Sequence, residues 1–145
     1  EFVDYNCGYC QKFHQELINV MNDNSLKLVI IQMPILGNFS EELTKLALAS
    51  SLQGQFKVVH NYLYSTERKS KMEDILADLF LRGVDLDILK NDLDSQEVSD
   101  FLSIHRGYAD EFKFTGTPAT IIGNQIIPGF IDADKITEIL EKEFS

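Results

Sequence analysis

Both cysteines of this 145-residue chain fall in one stretch, Cys7-Gly8-Tyr9-Cys10, and that spacing limits what the chain can be. Strand-forming residues, Glu1 to Tyr5, precede the pair. After it, Phe13, Leu17, Ile18 and Met21 recur at i, i+4, i+5 and i+8, which predicts a helix over Gln11 to Met21. The C-x-x-C thus stands at a strand-to-helix junction, with Cys7 at the helix N-terminus. Unpaired N–H groups and the helix dipole favour negative charge there, and so a thiolate over a thiol. Cysteines so placed are nucleophiles, which points to a redox site. The rival is a metal site. Tetrahedral zinc needs four ligands, and only His14, His60 and His105 remain to supply them. His14 follows Cys10 by four residues and Cys7 by seven, so one helix face offers three candidate ligands. Two cysteines this close form no disulfide framework for a chain of this size.

The chain is long enough for one packed domain, and its 44% hydrophobic content supplies a core. Thirteen basic residues against 23 acidic ones give a net charge of −10, which argues against nucleic acid and anionic membrane surfaces as partners. No run approaches the roughly 18 apolar residues of a membrane-spanning helix. The first residues are acidic and strand-like, unlike a secretory signal. Because the chain opens inside a strand, upstream sequence is expected to be missing.

Asn22 to Ser25 reads as a turn, and Leu26 to Met33 as a strand covered on both faces, parallel to the first through a βαβ crossover. Helical periodicity then runs from Ser40 to Lys113. Ser40 reads as an N-cap, with Leu43, Leu46, Ala47 and Ser50 on one face. Gly54 reads as a break, followed by a stripe of Phe56, Val59, His60 and Leu63. Met72, Ile75, Leu76, Leu79 and Phe80 mark a further helix closed by Gly83. A short helix is predicted over Asp85 to Asp92. Ser95 caps a longer one carrying Val98, Phe101, Leu102, His105, Tyr108, Ala109 and Phe112. Ala119 to Ile122 and Gln125 to Ile127 flank Gly123-Asn124 as a hairpin. Asp132 caps a last helix with Ile136, Ile139, Leu140 and Phe144. His60 and His105, on apolar stripes, read as core or groove residues. Asp4 reads as a solvated acid, and Tyr5 as either core or groove wall.

Four segments in this order resemble the DsbA family of thioredoxin-fold proteins, in its ScsC-type branch. They are Asp4-Tyr5-Asn6-Cys7-Gly8-Tyr9-Cys10, Pro34-Ile35-Leu36-Gly37, the helical insert, and Gly116-Thr117-Pro118-Ala119. The resemblance implies an α/β thioredoxin fold with an all-helical insertion between the second and third strands. The whole chain would be a single domain, with its thioredoxin part at 1–36 and 114–145 and its insert at about 38–113. Cys7 would be the attacking nucleophile and Cys10 the resolving thiol. Pro118 would be a cis-proline and Thr117 a backbone partner for a substrate strand. Glu1, six residues before Cys7, would be a buried acid accepting the Cys10 proton. Gly8 and Tyr9 would tune the pair.

The implied activity is thiol–disulfide exchange on cysteines of exported polypeptides in a bacterial periplasm, with no metal or organic cofactor. A membrane redox partner would oxidise or reduce the protein. Gly8-Tyr9 tilts the expectation toward isomerase or reductase work in the intact protein; a DsbA-type oxidase is the alternative. A copper- or zinc-binding module using the C-x-x-C is the alternative of another class. The isolated domain is expected to be a monomer. The intact protein is open to homo-oligomerisation through a missing N-terminal extension.

Overall fold

The computed structural model describes residues 1–23 and 25–145. The turn expected at Asn22–Ser25 includes Asn24, which lies outside the described residues. Four strands form one sheet: β1 (Phe2–Val3), β2 (Ile31–Gln32), β3 (Ala119–Ile122) and β4 (Gln125–Pro128), in the order β2-β1-β3-β4. β1 and β2 run parallel, Phe2 opposite Ile31, joined by α1 (Gly8–Asp23). β3 runs antiparallel to both β1 and β4. The hairpin turns at Gly123-Asn124, where Gly123 takes φ 58°, a value open to glycine at low cost. This is the thioredoxin arrangement.

Between β2 and β3 lie five helices: α2 (Asn38–Leu52), α3 (Phe56–Tyr64), α4 (Met72–Leu81), α5 (Leu86–Asp92) and α6 (Gln96–Glu111). α7 (Ala133–Phe144) closes the chain. Local signals set most of the boundaries. The carboxylates of Asp85 and Asp132 and the hydroxyl of Ser95 accept N–H bonds at the starts of α5, α7 and α6. Gly54 and Gly83, at φ 73° and 90°, end α2 and α4. Ser40 does not cap α2: the helix begins at Asn38 after Gly37, which takes φ 100°, and Ser40 is buried inside its first turn.

Both faces of the sheet are covered. Phe13, Leu17 and Val20 of α1 pack with Ile136 and Ile139 of α7 against Ile122. On the other side Phe2, Met33 and Ala119 meet Ala109 of α6. A larger cluster joins Val3, Tyr5 and Cys10 to Leu43, Leu46 and Ala47 of α2, Val59 and Leu63 of α3, and Ile75 and Leu79 of α4. Of the strand expected over Leu26–Met33, Ile31 and Gln32 pair in register with β1, and the Val29 carbonyl accepts from the Glu1 ammonium (2.8 Å). Val29 is 55% exposed, so that run is not covered on both faces. Ile18, Phe80, Tyr108 and Phe144, assigned to buried stripes from their spacing, also face outward.

Candidate active site

Cys7 caps α1. Its N–H donates to the Asp4 carbonyl (3.1 Å), and its own carbonyl accepts from Gln11 N–H (3.1 Å). The Cys10 N–H, in the first turn of the helix, donates to Cys7 Sγ (3.3 Å). A sulfur thus takes the place of the usual capping oxygen, satisfying one of the orphan donors at the helix start. The Cys7 thiol in turn donates to the Thr117 carbonyl (3.5 Å). The Thr117–Pro118 peptide is cis, and Pro118 is buried beside the half-buried Thr117. Cys7 is partly exposed and Cys10 is fully buried; both are free thiols.

The two sulfurs therefore sit in different media. Burial pushes the Cys10 thiol up to about 12, against the pull of hydrogen bonds from the Thr117 side chain and the Asp4 backbone. The asymmetry follows from the helix start, since Cys7 is at the cap, partly exposed, and Cys10 is one turn in, on the core side.

Glu1 is buried, 7% exposed, and neither carboxylate oxygen has a hydrogen-bond partner among the described residues. Burial lifts its carboxyl to about 7, while its own ammonium pulls the other way. Its charge bears on Tyr5 and Tyr64, and the Tyr64 phenol also feels Cys10. Tyr9 stands out at 63% exposure, near Phe130 at 6.3 Å between ring centroids. Gly8 opens α1 on the surface; a Cβ there would meet nothing within 4 Å, so packing does not require glycine.

Asp4 overturns the expectation of a solvated acid. It is fully buried, with Oδ1 accepting from Asn6 N–H (2.8 Å) and Oδ2 from Ile35 and Leu36 N–H (2.8 and 3.0 Å). One carboxylate thereby fastens the cysteine turn to the Pro34–Gly37 loop. Tyr5 belongs to the core rather than to a groove. Gln32 Nε2 donates to its hydroxyl (2.9 Å), which leaves the hydroxyl to donate to His60 Nδ1 (2.7 Å). Burial, then the neighbouring His14, holds His60 down at about 3, so it is neutral with its proton on Nε2. His14 meets His60 edge to face at 4.7 Å, and Tyr64 lies 5.0 Å from His14. His105, half-buried, accepts the Gln32 backbone N–H (3.0 Å). Among the described residues no three His, Cys, Asp or Glu side chains gather as a metal would need, so His14 does not join the cysteines as a ligand set.

From the insert side, Tyr64 OH donates to the Asp4 carbonyl (3.2 Å) and Gln11 Nε2 to the Tyr64 carbonyl (2.9 Å). Arg68 donates to the Tyr5 carbonyl. No local pattern marked Gln32, Tyr64 or Arg68, because each acts through a partner far away in sequence.

Residues 1–141 match the model of a family described as the DSBA-like thioredoxin domain. A thioredoxin-like oxidoreductase from Silicibacter pomeroyi has a similar structure, with a TM-score of 0.90 at 27% identity over 98% of this chain and 83% of that one. The catalytic domain of Proteus mirabilis ScsC shares the fold, with a TM-score of 0.81 at 23% identity over 98% of this chain and 80% of that one. The probable disulfide bond formation protein D of Bacillus cereus is 23% identical over 158 aligned positions, 99% of this chain and 72% of the relative.

Proposed function

The chain belongs to the DSBA-like thioredoxin domain family of thiol–disulfide oxidoreductases, and on that footing we propose that Cys7 and Cys10 are its exchanging pair. The observation that carries this is the division of labour at the helix start: Cys7 partly exposed at the cap facing Thr117, Cys10 sealed behind it. In the reductive direction the Cys7 thiolate attacks one sulfur of a substrate disulfide. A Cys7–substrate bond forms and the other substrate sulfur leaves as a thiolate. Cys10, once deprotonated, attacks Cys7 Sγ; the Cys7–Cys10 disulfide forms and the second substrate thiolate departs. The pair loses two electrons and the substrate gains them.

Cys10 cannot resolve the intermediate while its proton stays on, and burial makes that proton hard to remove. In this reading Glu1, a buried carboxyl held near 7, takes that proton. Thr117 and Pro118 form the wall beside which a substrate strand lies, and Gly8 and Tyr9 set the chemistry and contact surface of the tip. No metal or organic cofactor is needed for exchange.

The intact protein works as an isomerase or reductase on cysteines of exported polypeptides in a bacterial periplasm, and a membrane partner resets its redox state. Gly8-Tyr9 between the cysteines supports this direction. The name of the Bacillus cereus relative favours a second reading, net disulfide formation. Two reactions separate them. Reduced protein given a substrate with scrambled disulfides should restore the native pairing. Oxidised protein given a reduced substrate should pass on its disulfide more slowly than that restoration. The reverse order would establish the oxidase reading.

A further inference from the structure

We propose that the α3–α4 loop, residues 65–71, is a charge-reading rim of the site, with Arg68 recognising a carboxylate next to the cysteine of an acidic substrate polypeptide. This rests on the exchange chemistry proposed above and adds a substrate class to it.

The loop is pinned to the cysteine turn from both ends. Arg68 donates to the Tyr5 carbonyl, two residues before Cys7. Gln11, one residue after Cys10, donates to the Tyr64 and Ser65 carbonyls at 2.9 and 3.4 Å. Lys69 N–H donates to Tyr62 OH (3.3 Å) and Ser65 Oγ to the Tyr62 carbonyl (2.8 Å), which fixes the loop on α3. Only Asn6 separates Cys7 from the residue whose carbonyl Arg68 holds, so the guanidinium is fastened to the cysteine turn itself. It is half-buried, and its planar fork keeps donors free for a carboxylate after one is spent on Tyr5.

Among the described residues, Arg68 stands with cations left unpaired. Arg68, Lys69 and Lys71 lie in the loop, and Lys12 lies on α1 with its ammonium 5.9 Å from the Tyr9 ring centre. Among the described residues none of the four has a carboxylate partner; the ion pairs are Lys45–Asp94, Arg82–Glu67 and Lys135–Glu138. Glu67, the one acid inside the loop, is held by Arg82 at 2.6 Å. Asp4 is sealed, both oxygens on backbone N–H groups. Glu73 and Asp74 follow in the first turn of α4, exposed, and Asp78 accepts from the Tyr62 hydroxyl that also takes the Lys69 N–H. So a chain with a net charge of −10 sets Arg68 against the turn that carries Cys7 and places Lys12 two residues after Cys10, both without a carboxylate partner among the described residues. A solubilising surface has no reason to do this; a surface that guides an acidic partner past an acidic protein does.

The test uses three disulfide-bonded peptides alike except for the two residues flanking the cysteine, which are Glu, Gln or Lys. The rate of mixed-disulfide formation by the reduced protein is followed in low and high salt. The expected result is a preference of about three- to tenfold for the Glu peptide over the Lys peptide in low salt, shrinking toward one in high salt. Arg68→Gln should lower the Glu-peptide rate several-fold and leave the Gln-peptide rate alone, and Arg68→Lys should restore most of the preference. Lys142→Gln, the same charge change on α7 near the hairpin, should not alter the preference. Equal wild-type rates for all three peptides would overturn the proposal while leaving the exchange chemistry standing. An equal slowing of all three peptides by Arg68→Gln would also overturn it, showing that Arg68 only props the turn. Failure of the wild type to react with any peptide would instead remove the exchange reading itself.

Discussion

Replacing Asp4 with asparagine tests whether one buried carboxylate holds the two walls of the site together. Asp4 is an acceptor for three N–H donors, Asn6 through Oδ1 and Ile35 and Leu36 through Oδ2. An amide has one acceptor oxygen. Turned toward the Ile35–Leu36 pair, it leaves its NH₂ facing the Asn6 N–H, so one charge-assisted bond becomes a donor–donor contact. Such a bond is worth about 1.5–3 kcal/mol, and the two that survive lose their charge assistance at about 1 kcal/mol each. The cheaper burial of a neutral amide offsets part of this, leaving a net cost of about 3 kcal/mol. Against a total stability of about 5–15 kcal/mol that is a large fraction, and it corresponds to a drop in melting temperature of about 6–12 °C. Urea unfolding in a background with Cys7→Ala and Cys10→Ala, which removes redox coupling, reads the difference at unchanged m-value. Asp4→Ala, which orphans all three donors, should cost more than Asp4→Asn. A loss under about 0.5 kcal/mol for Asp4→Asn would refute the reasoning and mean that water already serves these N–H groups.

Three further outcomes follow from the buried groups. His60 is held at about 3, below its ordinary 6.5, so its contribution is full above pH 6.5 and is lost as pH falls toward 3; His14 and His105 shift the same way. Glu1, raised from 4.5 to about 7, contributes stability below pH 4.5 that is lost as pH rises to 7. Glu1→Gln should therefore steepen the acid limb between pH 6.5 and 4.5 by about 1.4 kcal/mol per pH unit and raise stability at pH 8 by about 3 kcal/mol, read from urea unfolding across pH. Tyr5→Phe should cost about 2–4 kcal/mol in the same assay, because it strips the hydroxyl from His60 Nδ1 and the Gln32 amide in the core. Cys10→Ser should accumulate a mixed disulfide at Cys7 on mass spectrometry, whereas Cys7→Ser should accumulate none, its remaining thiol being buried.

Features set by near neighbours in sequence were legible. The junction at Cys7, the caps at Ser95 and Asp132, the stops at Gly54 and Gly83 and the hairpin at Gly123 each need only a few adjacent residues. What escaped depends on distant partners. A run such as Leu26–Ile30 reads as covered strand by composition, yet Val29 is 55% exposed, because cover on a second face comes from elements distant in sequence. Asp4 reads as a surface acid until Ile35 and Leu36, 31 and 32 residues on, bring their N–H groups to it. Tyr5 and His60 are 55 residues apart, and nothing in either segment announces their hydrogen bond. Amphipathic spacing overstated burial at Phe80 and Phe144, because helix periodicity marks a face without telling how far its neighbour extends. The cysteine pair stood out because its chemistry is written into residue type, and Pro118 only through its place after Thr117 and before a hairpin, whereas Arg68 looked like one cation in a mixed-charge loop.

An equilibrium redox titration of the Cys7–Cys10 pair in glutathione buffers tests the central claim most directly. The account expects one two-electron transition between dithiol and intramolecular disulfide, abolished by either single cysteine substitution, with a potential of about −200 mV or below if the protein reduces or isomerises. A potential near about −120 mV would keep the exchange chemistry and reverse its direction. A pair that does not titrate as a dithiol at all would contradict the account.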